Sequence, residues 1–114
     1  TIYRVVREAQ LAAQATARAG VATDVVDAAA RDLIERAGYG NCFGHGLGHG
    51  VGIAVHEGPR LSKRKPTVLR ENMVVTIEPG IYIPGFQGVR LENMVRITAN
   101  GCEVLNALDL FYRY

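Results

Sequence analysis

Three histidines, His45, His49 and His56, stand four and seven residues apart within one short stretch, Gly44–Pro59 (GHGLGHGVGIAVHEGP). Glycine occupies positions 44, 46, 48, 50 and 52 of the same stretch. Imidazole binds metals and moves protons near neutral pH. Glycine at that density lets the backbone pass close to another group. The spacing therefore points to a metal site or a proton-transfer site. A flexible glycine-rich loop with incidental histidines is the competing interpretation, since short motifs are weak when taken singly.

Two carboxylates further along are candidates to share that site. Glu78 ends an apolar strand pattern, MVVTIE, immediately before Pro79. A lone carboxylate there is costly to bury without a partner. Glu92 lies on the return strand pattern VRLENMVRIT, with Arg90 and Arg96 on its own face as competing ion-pair partners. Arg90 could hold Glu92 or contact a substrate. With Phe86 at the centre of the intervening turn, Glu78 is expected opposite Met94 and Glu92 opposite Gly80. The two carboxylates then share a face as diagonal neighbours about 7–8 Å apart. A one-residue slip would separate them. One imidazole with two carboxylates suits Mn²⁺, Co²⁺, Fe²⁺ or Zn²⁺, ions that activate water for hydrolysis.

The elements that must position these residues are legible from periodicity. Ile2, Val5, Val6, Ala9, Ala12 and Ala13 form an apolar stripe, which predicts a helix over 2–19 stopped by Gly20. A second helix is predicted over 24–37, with Thr23 as its N-cap and Gly38 as its stop. Its core face is Val26, Ala29, Ala30, Leu33, Ile34 and Ala37. Asp24, Asp27 and Asp32 are assigned to capping and solvation. Short strands are expected at Phe43 and Val51–Val55. Residues 60–70, which hold Lys63, Arg64, Lys65 and Pro66, read as an exposed loop. Met73–Glu78, Ile81–Ile83, Val89–Thr98 and Cys102–Leu105 read as strands, with turns at 84–88 and at Asn100–Gly101. Two helices followed by antiparallel strands give an α+β class, both helices on one face of a curved antiparallel sheet.

Composition narrows the function classes. The 114 residues, 48% hydrophobic and 21% charged, suit one small domain. A net charge of +2 and a single basic cluster argue against a nucleic-acid partner. No apolar run approaches the roughly 20 residues that span a bilayer, so no membrane partner is expected. There is no signal-peptide pattern. Cys42 and Cys102 form no CxxC pair and read as reduced thiols in a cytoplasmic protein. Cys42 reads as a small buried residue beside the histidines.

The run HGVGIAVHEGP from His49, TIEPGIYIPG from Thr76 and GVRLENMV from Gly88 resemble the pita-bread metallopeptidases of peptidase family M24. That family includes methionine aminopeptidases, aminopeptidase P and Xaa-Pro dipeptidases. The similarity covers most of the chain, including both helices. HGLGH from His45 and the EPGIY run point to the Xaa-Pro branch. The resemblance implies the C-terminal half of a pita-bread (creatinase/aminopeptidase-like) fold, with residues 1–114 a single partial catalytic domain. It implies metal ligation by His49, Glu78 and Glu92, with Glu78 also the general base toward the attacking water. His45 and His56 are implied to line the substrate site and stabilise the tetrahedral intermediate, supported by Arg90.

The implied substrate is a peptide with proline in second position, and the implied cofactor is a pair of divalent metal ions, Mn²⁺ foremost, with Co²⁺, Zn²⁺ or Fe²⁺ as alternatives. Two departures accompany the match. The family's centre also takes two aspartates from a hairpin ahead of the first helix, and this chain begins at Thr1, inside that helix. Two divalent ions exceed the charge of two carboxylates, so at most one weakly held ion and little activity are expected of these residues alone. Asn93 stands where the family often has aspartate, which alters the surroundings of the ligand Glu92. A non-catalytic pita-bread binding module and a methionine aminopeptidase are the alternatives. An exposed sheet edge could also pair with a second copy as a homo-oligomer.

Overall fold

The computed structural model describes residues 1–51 and 59–106. Among the described residues, two helices, α1 (Ile2–Thr16) and α2 (Thr23–Arg36), precede a 3-10 turn at Gly40–Cys42 and seven short strands. These are β1 (Gly48–His49), β2 (Arg60–Leu61), β3 (Val74–Ile77), β4 (Gly80–Ile83), β5 (Gln87–Arg90), β6 (Asn93–Ile97) and β7 (Cys102–Val104). The α+β class expected from periodicity is the one observed.

The helices pack on each other and on the sheet through one core. Val6, Ala9 and Ala13 of α1 and Val26, Ala30 and Ile34 of α2 are fully buried with Val75, Ile77, Ile81, Val95 and Ile97 of the strands. Alanine at the α1 positions lets the neighbouring backbone approach closely. The stripe is narrower than expected on α2, where Leu33 is half-buried and Ala37 is exposed.

Both helix ends differ from the sequence expectation. α1 stops at Thr16, not at 19, because Ala17 is extended and the Ala19 N–H donates to the Thr98 carbonyl at 3.0 Å. The chain leaves the helix to pair with the end of β6. Thr23 is the first residue of α2 and Ala22 is its N-cap. The Thr23 hydroxyl instead accepts the Thr67 N–H at 3.0 Å, tying the helix start to the distant loop. Gly38 does stop α2, with φ of 95°.

The strands form three small antiparallel sheets, β1–β2, β3–β6–β7 and β4–β5. A bridge from Gly50 to Val75 and the bond from the Glu78 N–H to the Leu47 carbonyl (2.7 Å) lay residues 47–51 along β3. β1 sits so close there that a Cβ on Gly48 would collide with the Thr76 carbonyl oxygen. This close approach is a position where only glycine fits. Phe43 follows the 3-10 turn and lies outside any strand. Most of the strand expected at Val51–Val55 lies outside the described residues.

The connection at 60–70 is less loop-like than its composition suggests. Leu61 and Leu69 are buried, Arg60–Leu61 pairs with β1, and Val68 bridges to Ala22. Only Lys63–Val68 is exposed throughout.

The hairpin register is corrected by two residues. Thr76, not Glu78, pairs with Met94, and Arg90, not Glu92, pairs with Gly80. The turn is residues 84–86, centred on Gly85 with φ of 72°. Glycine at that left-handed position fixes the centre one residue before Phe86. A two-residue shift preserves which face each side chain takes, so the expected common face of Glu78 and Glu92 survives. Carrying the same register across the gap between the two ladders sets Glu78 and Glu92 directly opposite each other, closer than the expected diagonal.

Candidate metal and substrate site

His49 and Glu78 come together at the edge where β1 meets β3. The His49 Nε2 lies 3.4 Å from Glu78 Oε2. The histidine Nδ1 lies 2.9 Å from the Gly50 carbonyl oxygen. A carbonyl only accepts, so Nδ1 carries the donated proton and Nε2 turns its lone pair toward Glu78 in the neutral ring. Two acceptors at that separation require a proton or a cation between them.

The contact distance fits a shared ion. Ligand atoms bonded at about 2.1 Å to one divalent metal lie about 3.0–3.4 Å apart at ordinary bond angles. The carboxylate is 13% exposed and the imidazole 41%, so one wall is protein and the other is open.

Thr76 organises this pair. Its buried hydroxyl donates to Glu78 Oε2 at 2.7 Å and accepts the His49 N–H at 3.0 Å. One side chain thus sets both the strand carrying the histidine and the rotamer of the carboxylate. Arg90 approaches Glu78 Oε1 at 3.9 Å from a half-exposed position, a weak and solvent-screened contact.

Glu92 is exposed and has no ion-pair partner among the described residues. Arg96, its expected competitor, is engaged with Glu103 and Asn72 at 2.9 Å each. Among the described residues, no group of three or more histidine, cysteine, aspartate or glutamate side chains converges on one point. The structure therefore brings two of the three expected ligands, His49 and Glu78, into contact. Glu92 stands across the sheet from them.

His45 occupies a neighbouring compartment. Its Nδ1 lies 2.7 Å from the Gly46 carbonyl, which leaves Nε2 facing outward, 3.4 Å from the Tyr82 hydroxyl. The ring meets Phe43 edge-on, with centroids 5.0 Å apart. His56, the third histidine, lies outside the described residues.

Asp27 and Arg31 are the contributors that sequence reasoning missed. Asp27 is fully buried, not a solvated cap. Arg31 grips it through Nε and one terminal nitrogen at 2.8 and 3.0 Å. The same guanidinium donates to the carbonyls of Phe43 (2.9 Å) and His45 (2.8 Å) and lies 4.1 Å over the Phe43 ring. Asp27 also accepts the Leu47 N–H at 3.1 Å. A buried charge pair on α2 thus fastens three points of the glycine-histidine stretch. The available signal was the i,i+4 spacing of opposite charges on the core-facing side of α2. Asn93, singled out in the sequence as a neighbour of Glu92, is engaged elsewhere. It is buried away from the site, donating to Gln14 of α1 at 2.6 Å and accepting from Asn106 at 2.9 Å.

The chain is similar to known proteins over most of its length. Residues 1–99 match the model of metallopeptidase family M24. The Xaa-Pro dipeptidase of Pyrococcus horikoshii is 53% identical over 108 residues, which is 95% of this chain and 31% of that protein. The solved prolidase from Pyrococcus furiosus superposes with a TM-score of 0.91 at 50% identity, over 95% of this chain and 32% of that one. The X-Pro aminopeptidase of Thermotoga maritima superposes at 0.90 with 48% identity, over 94% of this chain and 30% of that one. The chain spans about a third of the length of the curated relatives it matches.

Proposed function

Because the chain belongs to metallopeptidase family M24 and shares the pita-bread fold of its prolidase relatives, we propose that the complete protein hydrolyses the Xaa-Pro bond of dipeptides or of peptide N-termini. The single observation that carries this reading is the His49–Glu78 pair, an imidazole and a carboxylate 3.4 Å apart, a separation that suits two ligands of one ion. His49 and Glu78 are the proposed ligands in contact, and Glu92 the third from across the sheet. A bound divalent ion, Mn²⁺ foremost, supplies Lewis acidity to the scissile carbonyl and lowers the cost of deprotonating water.

Glu78 receives the proton of the attacking water at Oε2 and passes it toward the departing amine. Thr76 holds that oxygen in place through its hydroxyl. His45 presents Nε2 toward the substrate side, and His56 joins it there to stabilise the developing oxyanion. Arg90 offsets negative charge on Glu78 before substrate arrives. A reducing, cytoplasmic location belongs to the same proposal, in keeping with two free cysteines.

The test is hydrolysis of Ala-Pro against Met-Ala by the complete protein loaded with Mn²⁺, Co²⁺ or Zn²⁺. Preference for Ala-Pro is expected. Preference for Met-Ala would move the activity to a methionine aminopeptidase, and no turnover with either would end the enzyme reading. These 114 residues alone, with two of the ligand carboxylates, are expected to cleave neither.

One observation favours a second reading, a binding module without chemistry: no three ligating side chains converge among the described residues. Calorimetric titration of the complete protein with Mn²⁺ separates the two. Two ions bound supports the enzyme, and none supports the module.

A further inference from the structure

Of the three proposed ligands, Glu92 is the one whose place is not explained by its own contacts. Its carboxylate is exposed and has no hydrogen-bond or ion-pair partner among the described residues. Its main chain lies between two ladders. β5 ends at Arg90 and β6 begins at Asn93, so Leu91 and Glu92 belong to neither. On the upstream side the Leu91 N–H donates to the Pro79 carbonyl at 3.2 Å. The downstream side begins with Asn93, which pairs with Ile77 of β3 and is 7% exposed.

Successive side chains of a strand take opposite faces, so Asn93 turns toward the helices while Glu92 turns away from them. The Asn93 amide donates to Gln14 Oε1 of α1 at 2.6 Å, and its Oδ1 accepts from the Asn106 amide at 2.9 Å. Asn106 reaches the same strand a second time, its Oδ1 accepting the Met94 N–H at 2.6 Å. The Leu105 N–H donates to the Met94 carbonyl at 2.8 Å. The two residues that follow Glu92 are therefore held from α1 on one side and from the chain after β7 on the other. Gln14 is itself tied to the sheet, because its carbonyl accepts the Cys102 thiol of β7 at 3.4 Å. A buried amide network of this kind favours one arrangement of the strand, since any other leaves polar groups unpaired.

We propose that Gln14, Asn93 and Asn106 form a positioning network for Glu92, which carries the placement of α1 through the main chain to the carboxylate. The inference rests on Glu92 as a metal ligand in the hydrolase reading above. Asn93 faces away from the carboxylate, so it acts by fixing the strand and not by touching the ligand.

The test uses the complete protein. Asn93→Leu keeps the size of the side chain and removes both of its amide bonds. Affinity for Mn²⁺, measured by calorimetry, should fall about tenfold, the low end of the range for groups that orient a ligand. Gln14→Leu should have a smaller effect, because the bond between Asn93 and Asn106 remains. Asn93→Asp should recover most of what Asn93→Leu loses, since a carboxylate accepts from Asn106 and from a Gln14 amide turned about. Val6→Ala is the control. Val6 is a fully buried residue of the same helix, so this change lowers the melting temperature but leaves the network intact. Unchanged Mn²⁺ affinity in both leucine variants, or an equal loss in Val6→Ala at a matched melting temperature, overturns the network. A second readout needs no metal. Amide exchange at residues 91–94 of the metal-free protein should accelerate in Asn93→Leu and not in Val6→Ala, and unchanged exchange also overturns the network. Glu92→Gln, measured beside these variants, separates the two readings. If it leaves Mn²⁺ affinity unaltered, the ligand role of Glu92 fails alone, and the exchange rates still decide whether the network holds the chain there.

Discussion

His45 and His49 are four residues apart on one glycine-rich stretch, yet they are held by unlike means. The His45 segment is fastened through its main chain. Arg31 reaches the Phe43 and His45 carbonyls, and Asp27 takes the Leu47 N–H. The His49 segment is fastened by strand pairing with β2 and β3, and one side chain adds to it, the Thr76 hydroxyl, which also holds the carboxylate that faces the imidazole. The first arrangement fixes where the backbone runs, while the ring itself meets, among the described residues, only the Gly46 carbonyl, the Tyr82 hydroxyl and the edge of Phe43. The second couples two functional groups to each other. That difference matches the proposed roles, a substrate-facing histidine and a metal-ligating one.

The largest expected effect falls on the second arrangement. Glu78→Gln keeps the shape of the side chain and its bond with Thr76, but removes the proton acceptor. The rate of Ala-Pro hydrolysis by the complete protein should fall by about 10²–10⁴-fold. Affinity for Mn²⁺ should fall with it, as read by calorimetry, while the melting temperature changes little. Retention of more than a tenth of the rate would remove Glu78 from its role.

The first arrangement should yield a stability effect instead. Asp27→Asn leaves the Arg31 guanidinium buried without its counter-charge. Breaking a buried pair costs about 3–5 kcal/mol, measured by denaturant unfolding. Exchange protection should fall at Leu47, whose N–H keeps the Leu61 carbonyl but loses the charged Asp27 acceptor. A loss below about 1 kcal/mol would mean that the pair does not anchor the stretch.

Gly48→Ala tests the close approach between β1 and β3. An added methyl group meets the Thr76 backbone, so β1 must move away. A cost of about 1–3 kcal/mol is expected. The His49–Glu78 contact should open, seen as weakened metal binding out of proportion to the loss of stability.

The smallest effect is expected for Thr76→Val, which keeps volume but removes the hydroxyl shared by His49 and Glu78. Leaving the His49 N–H unpaired costs about 1–3 kcal/mol. The two arrangements are separable if this change lowers kcat while the His45 ring signals stay in place. A shift of those signals equal to that seen in Asp27→Asn would show that the two histidines are held by one network.

Much of this molecule is written in local patterns. The apolar stripes at steps of three and four specify both helices, because each must bury one face. Gly38 and Gly85 mark where the chain turns, because their positive φ suits no other residue well. Alternation along the strands fixed the common face of Glu78 and Glu92, and it survived a register error of two residues because the period of a strand is two. Histidine and glutamate at the edges of such elements already indicated metal-assisted hydrolysis.

What the sequence could not supply depends on partners distant along the chain. Asp27 looked like a capping or solvated acid because it lies near the start of the expected helix, and only the packing of residues 43–47 against α2 turned it into a buried anchor. Thr23 had the chemistry of an N-cap, but Thr67, 44 residues away, offers its hydroxyl a different N–H. Residues 63–65 stay exposed, as their composition suggested, but the Leu47–Leu61 bond draws their loop beside His45. Periodicity and turn chemistry act between near neighbours, so the sequence by itself determined the elements and the kinds of functional group they carry. Which charges are buried, and which imidazole faces which carboxylate, depends on contacts between segments brought together by the fold, and only the tertiary structure decided them.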